Sequence, residues 1–220
     1  MKHIYKLFIS VYLILLIFVL TSFSCFKGDP ISEIFKVCGS TPESCGIKLV
    51  INKKNIDTAS ILKSFGIKRD TGFSIDYSEN YISFKAKKAR GYLEQIPEEE
   101  AYILYFESED KNDSPMVLRD RILGQVSGFH DYNYYVFQKG SVSNQDFRWK
   151  VLDEIKTLKG DNISYQNIEN GWNAVFKINN SPYKGFIKDN GKLINYQCAL
   201  MKYKSGDYLI VGSPIITITY

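Results

Sequence analysis

Histidine is almost missing from this chain, which has only His3 and His130 among its 220 residues. A Ser-His-Asp triad or a Cys-His pair would have to use one of these two side chains. Clusters of histidines that ligate a metal are therefore excluded. The sequence contains no nucleotide-binding motif either, so we expect no catalytic residues, no metal and no cofactor.

The chain also has no large excess of either charge sign, because 28 Lys and Arg residues nearly balance 24 Asp and Glu residues. The formal net charge of +4 falls by two when Lys2 and Lys6 leave with an N-terminal signal. Nucleic-acid-binding proteins are usually more basic than this. We therefore expect no nucleic-acid partner.

The first 24 residues have the three parts of a secretory signal peptide. Lys2 and Lys6 give a positive start, and an apolar run covers residues 7–20. Residues 21–24 then lead to Cys25. This arrangement is typical of export. A membrane-spanning helix is the alternative, but it needs about 20 apolar residues, which is more than this run supplies.

The stretch Leu20-Thr21-Ser22-Phe23-Ser24-Cys25 resembles the signal of bacterial lipoproteins, in the loose form that spirochaete-type lipoproteins tolerate. Ser24 directly before Cys25 is its strongest element, while Ser22 and Phe23 depart from the usual pattern. The resemblance implies that Cys25 is the first mature residue and carries a lipid such as palmitate. The lipid would anchor the chain to a membrane of the cell envelope, with the periplasmic face of the outer membrane favoured over the cell surface. The resemblance covers the signal alone, and the mature domain resembles no family.

The rest of the chain divides into a short lipidated tether, residues 25–28, and a single domain, residues 29–220. Asp29 and Pro30 have the pattern of a helix cap and a first helical residue. A second helix is expected from Asp57 to Gly66. Apolar spacing predicts two more, one over 116–126 with Val117, Ile122 and Val126 on its apolar side. The other starts at Ser143 and has Phe147, Val151, Ile155 and Leu158 on one face.

Apolar alternation predicts strands at 47–51, 73–77, 82–86, 101–106 and 134–137. Four hairpin signals then predict an antiparallel meander in the C-terminal third: Asn170-Gly171, Asn179-Asn180, Asn190-Gly191 and Ser205-Gly206. The expected fold is α+β, an antiparallel sheet with helices packed on one face. Residues 47–86 and 134–178 both have the order strand, helix, strand, strand. Two similar β-α-β-β lobes split near 107–115 are therefore an alternative to one undivided unit.

Cysteine is scarce, and Cys38 and Cys45 are close together in sequence. They flank the turn-rich stretch 39–44, and exported proteins can keep disulfides. A local Cys38–Cys45 bridge is the prediction. Zinc is the alternative, but the spacing is wrong and no ligand histidine is near. Cys198 shares its strand parity with apolar residues, which predicts a buried and inert thiol.

A basic stretch and an aromatic segment are candidate binding surfaces. The basic stretch can meet anionic lipid head groups, because the tether is short; it comprises Lys85, Lys87, Lys88 and Arg90. The aromatic segment offers the rigid amphipathic contact area of tyrosine, in Tyr132, Tyr134 and Tyr135. The alternatives are a solvated strand end for the basic stretch and opposite strand faces for Tyr134 and Tyr135.

Three functions fit these observations. The first is a membrane-anchored, non-enzymatic binding or assembly module of the cell envelope, with another envelope protein as partner. The second is a surface-exposed host-interaction protein, an adhesin or an immune-evasion factor, although such proteins often stand on longer tethers. The third is an envelope hydrolase that works through carboxylates instead of histidine. Glu98-Glu99-Glu100 does not favour it, because consecutive side chains in a polar loop point in different directions.

Overall fold

The computed structural model describes residues 28–52, 57–126, 131–143 and 147–218. Within these ranges there are four α-helices: α1 Pro30–Val37, α2 Thr58–Ser64, α3 Pro115–Gln125 and α4 Phe147–Thr157. The strands of the same ranges are β1 Thr41–Asn52, β2 Ser74–Tyr77, β3 Tyr81–Ala86, β4 Ala89–Ile96, β5 Ala101–Ser108, β6 Tyr132–Val142, β7 Gly160–Ile168, β8 Gly171–Ile178, β9 Ile187–Asp189, β10 Lys192–Ile194, β11 Tyr196–Tyr203 and β12 Gly206–Ser213. The predicted α+β class, with a mostly antiparallel sheet, is confirmed.

One large sheet contains ten of the described strands, in the order β2-β3-β4-β5-β1-β6-β12-β11-β8-β7, while β9 and β10 form a separate hairpin. Its neighbouring strands pair in antiparallel fashion throughout. Strands β1 and β6 lie side by side at the centre, and β2 and β7 are the two edges. The predicted C-terminal meander is confirmed for β7, β8, β11 and β12, which are successive neighbours at one side. The hairpin predicted at Asn179-Asn180 is wrong, because β8 pairs with β11 and not with β9.

The turns of this meander follow from local chemistry. Asn190 and Gly191 join β9 to β10, and both have positive φ angles, 48° and 80°. A two-residue hairpin of type I′ needs positive φ at both central positions, which Asn and Gly adopt at the least steric cost. The turn between β7 and β8 consists of Glu169 and Asn170, so the Asn170-Gly171 signal is displaced by one residue and Gly171 already belongs to β8. Gly206 opens β12 after the turn at Lys204 and Ser205.

Helices α1 and α2 begin where the sequence predicts them. The Asp29 carboxylate accepts a hydrogen bond from the Ile31 backbone N–H at the start of α1, and Asp57 does the same for Ala59 in α2. Such caps satisfy backbone donors that have no partner inside the helix. Helix α2 ends just before Gly66, whose φ of 70° suits the end of a helix.

The predicted apolar face of α4 is confirmed, whereas one residue predicted on the apolar face of α3 is exposed. In α4 the residues predicted on one face are all buried: Phe147, Val151 and Ile155, with Leu158 just after the helix. In α3 the residue Val117 is 50% exposed, so its predicted place on the apolar side is wrong. Leu118, one position later, is 0% exposed and packs with Ile122 in the core.

The main core is one cluster of buried residues that combines alternate strand positions with helix residues. Strand β1 contributes Ile47, Leu49 and Ile51, each 0% exposed, and α1 contributes Ile31 and Ile34. Fully burying a side chain of this size stabilises the fold by about 1.5–3 kcal/mol. A smaller cluster, separate from this core, consists of Ala199, Met201, Ile210 and Ile216.

Strand β4 and the extra length of β1 and β5 are not predicted from the sequence. Leu93 is the only residue of β4 that is fully buried, so apolar alternation is weak there. Strand β1 already starts at Thr41, inside the stretch expected to turn. Strand β5 continues through Glu107 and Ser108, which are 6% and 3% exposed, where a polar loop was expected.

Candidate functional site

The sheet has two faces with different chemistry. Side chains alternate between the faces of a strand, and the register aligns Leu49 and Leu93 with Leu104 on the face that contributes to the main core, which we call the core face. The opposite face, which we call the second face, carries Tyr92 beside Tyr105. The second face over β3, β4, β5 and β1 is our candidate functional site.

Four aromatic rings cross this part of the second face in a line, which we call the aromatic row: Tyr81, Tyr92, Tyr105 and Phe137. Ring centroids are 5.3 Å apart between Tyr81 and Tyr92, and 5.3 Å between Tyr92 and Tyr105. The step from Tyr105 to Phe137 is 6.2 Å, with the planes within 11°. This last step crosses β1 at Gly46, which has no side chain to block it.

The stacking decides which atoms the aromatic row offers. Each inner ring is covered on its faces by its neighbours, because stacked rings use their faces on one another. Tyr81, at the outer end, is 41% exposed, whereas Phe137 at the inner end is 1% exposed. The row therefore presents ring edges and phenol hydroxyls, held in fixed positions, rather than open ring faces.

A buried carboxylate, Glu107, is held at the inner end of the row. One of its oxygens accepts hydrogen bonds from Arg90 Nε at 2.8 Å and from the Tyr105 hydroxyl at 2.9 Å. Burial alone would raise the pKa of Glu107, but hydrogen bonds from Arg90, Ser44 and Tyr105 outweigh it and lower the pKa. Burial and the neighbouring Glu107 charge raise the pKa of Tyr105, which keeps its hydroxyl protonated as a donor.

Sequence reasoning misses Glu107, Tyr92 and Tyr105 as members of this site. Arg90 and Glu107 are distant in sequence and meet only because β4 pairs with β5 in one register. The single signal that points here is Arg90, which the basic stretch contains. That stretch does not form one surface: Lys85 and Arg90 face each other on the second face, whereas Lys87 and Lys88 form the turn between β3 and β4.

Two members of this basic stretch, Lys85 and Arg90, do not lie on the side of the sheet predicted to contact lipid beside the N-terminal tether. Helix α1, which begins next to the tether, buries Ile31 and Ile34 in the main core. Lys85 and Arg90 point from the second face, on the other side of the sheet. Arg90 is also engaged in an ion pair with Glu107, at 2.8 Å. Lys85 and Arg90 therefore do not share a membrane-facing surface with the tether, whereas for Lys87 and Lys88, in the turn between β3 and β4, the lipid contact stays a prediction.

The tyrosine segment also divides between the two faces. Tyr134 is 8% exposed on the core face, and its hydroxyl accepts a hydrogen bond from the Lys184 backbone N–H at 2.7 Å. Tyr135 is half-buried on the second face, in register with Lys48. Tyr132 is half-buried and packs against the core. The expectation of one surface made by all three is therefore wrong, and His130 lies outside the described residues.

The predicted Cys38–Cys45 bridge is not present, since Cys38, Cys45 and Cys198 are free and buried. Cys38 follows α1, while Cys45 lies in β1, where Thr41 to Cys45 is extended instead of turning back. Four steps of extended strand cover about 13 Å, and a disulfide needs Cα atoms within about 7 Å. Burial raises the pKa of Cys38 to about 11 and that of Cys45 to about 12.

In the ranges that the structure covers, no group of three or more His, Cys, Asp and Glu side chains is placed to hold a metal ion. None of the helices in the same ranges is both long and apolar enough for a membrane span. Cys25 and the apolar run 7–20 lie outside those ranges.

No protein-family model matches the chain, and no curated protein matches it. The function must therefore be argued from the site itself.

Proposed function

We propose that this chain is a lipid-anchored, non-enzymatic binding module of a bacterial cell envelope, and that it binds another envelope protein on the aromatic row. The observation that carries the proposal is the row itself, four ordered aromatic rings fixed beside the Arg90–Glu107 ion pair. Rigid tyrosines lose little conformational entropy when a partner binds.

The anchor is supported by the sequence that precedes the domain. Only Phe26, Lys27 and Gly28 separate Cys25 from the helix cap Asp29. Extended residues span at most about 3.6 Å each, so this link reaches on the order of 10 Å. The domain would then stay close to its membrane, which favours an envelope partner over a host molecule reached on a long tether.

We further infer that the helices cover the core face and leave the second face open to a partner. Support comes from the main core, in which residues of each of the four described helices join strand residues of the core face, with Ile31, Ile61, Leu118 and Val151 as examples. Charged and aromatic side chains, by contrast, share the second face of β3, β4 and β5.

The two halves of the sheet support an internal duplication of the kind that the sequence order suggests. Strand β1 is followed by α2 and then β2, β3, β4 and β5, and the sheet order from the centre is β1-β5-β4-β3-β2. Strand β6 is followed by α4 and then β7, β8, β11 and β12, and the order is β6-β12-β11-β8-β7. We propose two lobes of this shared topology, with the β9–β10 hairpin as an insertion in the second.

In the proposed second lobe, the same sheet face is covered by a chain segment. Residues after β12 turn back over it, and Ile216, 8% exposed, packs with Ala199 and Ile210. The Ile216 backbone N–H donates to Gln197 Oε1 at 3.0 Å. The corresponding face of the first lobe bears the aromatic row, and we propose that a segment of the partner lies there instead.

The chemistry of the row favours a protein partner. The second face here offers hydrogen-bond donors and acceptors together with both positive and negative charges in a small area. They come from the tyrosine hydroxyls, Lys48, Lys85 and Glu94. Aromatic residues with a mixed polar rim are typical of protein interfaces. A nucleic acid would require a basic surface, and here Arg90 is already paired with Glu107.

Photocrosslinking in living cells tests the proposal. The crosslinker p-benzoylphenylalanine replaces Tyr92 in the row or, as a control, Tyr165, which is 58% exposed on β7. Adducts with an envelope protein are expected from position 92 and not from 165, and Cys25→Ala should reduce them by releasing the anchor. Equal adducts from both positions, or none from 92, would reject the row as the binding site.

Protease treatment of intact cells and fatty-acid labelling test the location. Metabolic labelling with palmitate should mark the wild type and not Cys25→Ala. A chain inside the envelope should survive external protease until the outer membrane is opened. Digestion of intact cells would instead favour the host-interaction alternative.

A further inference from the structure

A cleft of about 700 Å³ opens on the core-face side of the first lobe, away from the aromatic row. It lies between the end of α2, the turn that joins β3 to β4, and α3. Ligand pockets commonly have volumes of roughly 300–1,000 Å³. The cleft is therefore large enough for a small organic molecule.

The floor of the cleft is apolar. It is lined by Phe65, Phe106 and Ile122, together with Ala86 at the end of β3 and Ala89 at the start of β4. Phe106 and Ile122 belong to the buried core, at 7% and 2% exposure. This part of the cleft can take an apolar group out of water.

The charged side chains of the cleft are mostly paired with one another. Arg121 donates two hydrogen bonds to the Asp113 carboxylate, at 3.2 and 3.0 Å, and the Ser108 hydroxyl donates to the same group at 2.5 Å. Lys88 Nζ lies 3.6 Å from Asp110 Oδ2. Both acids of the lining thus have a cationic partner.

Lys87 is the remaining cation of the lining. It is exposed at the hairpin turn, and among the described residues no ion pair includes it. The lining therefore carries one positive charge more than its acids balance. Arg121 also lines the cleft with its side chain 48% exposed, but its charge is balanced by Asp113.

We propose that this cleft binds a small amphipathic anion. The apolar body would lie against Phe65, Phe106 and Ile122, and the acidic head would lie at Lys87. The Asp113–Arg121 ion pair fixes the Arg121 side chain at the edge of the cleft before binding, which reduces the entropy lost on binding. This site is independent of the aromatic row, since the two lie on opposite faces of the sheet.

A matched pair of fluorescent probes tests the proposal on soluble residues 26–220. One probe is 8-anilinonaphthalene-1-sulfonate, an apolar anion, and the other is N-phenyl-1-naphthylamine, its neutral analogue. The anion should bind saturably to one site, and the neutral probe about tenfold more weakly, because only the anion uses the charge of the rim. Binding of the anion should weaken as salt is added.

Two lysine variants from one hairpin locate the site. Lys87→Glu should weaken binding of the anionic probe by about tenfold, since it reverses the charge at the rim. Lys85→Glu makes the same change on the second face and should alter affinity less than about twofold. Amide NMR shifts on titration should concentrate at Gly72 and at 86–89.

Further measurements separate a free ligand from a lipid head group and define failure. Laurate should displace the probe if the cleft takes a free amphiphile, whereas cosedimentation with phosphatidylglycerol vesicles that Lys87→Glu abolishes would identify a lipid head group. Either outcome supports an amphipathic anion. Equal binding of the charged and neutral probes, equal effects of both variants, or no saturable binding would overturn the proposal.

Discussion

The ring of Phe137 lies directly over Gly46 of the neighbouring strand. A Cβ atom at position 46 would be 2.3 Å from Phe137 Cε1 and 2.9 Å from the Phe106 carbonyl oxygen. Contacts this short are not tolerated without movement of the ring or the strand. The last stacking step of the aromatic row, from Tyr105 to Phe137, therefore depends on the missing side chain.

Gly46→Ala is expected to destabilise the fold by about 1–3 kcal/mol, because the added methyl group overpacks a well-filled site. Urea denaturation measures this change. Gly124→Ala is the matched control, since a Cβ there meets nothing within 4 Å and alanine favours the helix by up to about 1 kcal/mol.

The collision can also be relieved from the other side. Phe137→Leu should make room for the added methyl group. Gly46→Ala should therefore lower the free energy of unfolding by less in the Phe137→Leu background than in the wild type. A cost for Gly46→Ala no larger than that of Gly124→Ala would contradict the contact, as would full additivity of the two changes.

Glu107 should make the stability of the protein depend on pH in the acid range. Its pKa in the folded state lies below the ordinary value of 4.5. The ionised group therefore stabilises the fold above about pH 4.5, and this contribution is lost as the pH falls through the folded pKa. Glu107→Gln should cost about 1–3 kcal/mol at pH 7 and progressively less below pH 4.5.

Denaturation measured across this pH range checks the effect, with Glu98→Gln as the control. Glu98 is exposed in the short turn before β5, so neutralising it should change stability little at any pH. If the free energy of unfolding of Glu107→Gln ran parallel to that of the wild type across this pH range, ionisation of Glu107 would not contribute to the pH dependence of stability.

Local patterns account for the parts of this fold that the sequence predicts. The caps Asp29 and Asp57 need only neighbouring backbone N–H groups, and the buried spacing of α4 needs only helix geometry. The Asn190-Gly191 turn likewise depends on the φ preferences of two adjacent residues. Such features can be predicted because sequence neighbours form them.

The candidate site depends on the register between paired strands, which local sequence patterns do not predict. Arg90 meets Glu107, and Tyr92 meets Tyr105, only after β4 and β5 have paired. The Cys38–Cys45 expectation fails for the same reason, since pairing of β1 with β5 and β6 extends the segment that looked like a turn. Weak alternation in β4, where Leu93 alone is fully buried, hides the strand that brings the row together.

The three cysteines of the described ranges should be inert in the native protein. Cys38 and Cys45 are 2% exposed and Cys198 is 0% exposed, and burial raises the pKa of all three thiols. The reactive thiolate is therefore scarce at neutral pH. Modification by an aromatic disulfide reagent should be at least about a hundredfold slower in native protein than in urea.

An engineered thiol at the exposed turn residue Asn80 provides the control for this measurement. Asn80→Cys should react at once in the native protein, while the three natural thiols remain protected. Rapid native modification of Cys198, or a Cys38–Cys45 disulfide found by peptide mapping of nonreduced protein, would contradict the structure.

Asn195 joins the ends of three strands from a position that is 0% exposed. Its Oδ1 accepts a hydrogen bond from the Ile178 backbone N–H at 2.8 Å, and its Nδ2 donates to the Ile178 carbonyl at 2.9 Å. The Ser213 hydroxyl donates to the Asn195 carbonyl at 2.9 Å. The Asn195 side-chain amide thus bonds both the N–H and the carbonyl of Ile178, as a neighbouring strand would.

Asn195→Leu keeps a similar side-chain volume but leaves the Ile178 N–H and carbonyl buried without partners. Each unpaired group costs about 1–3 kcal/mol, so the free energy of unfolding should fall by about 2–4 kcal/mol. Asn173→Leu is the control, because Asn173 is half-buried and its Oδ1 accepts one bond, from Gln197 Nε2 at 2.9 Å. Urea denaturation of both variants should show the larger loss at position 195. Comparable losses at the two positions would mean that water or a shifted strand end satisfies Ile178, and that Asn195 does not hold the β8, β11 and β12 ends together.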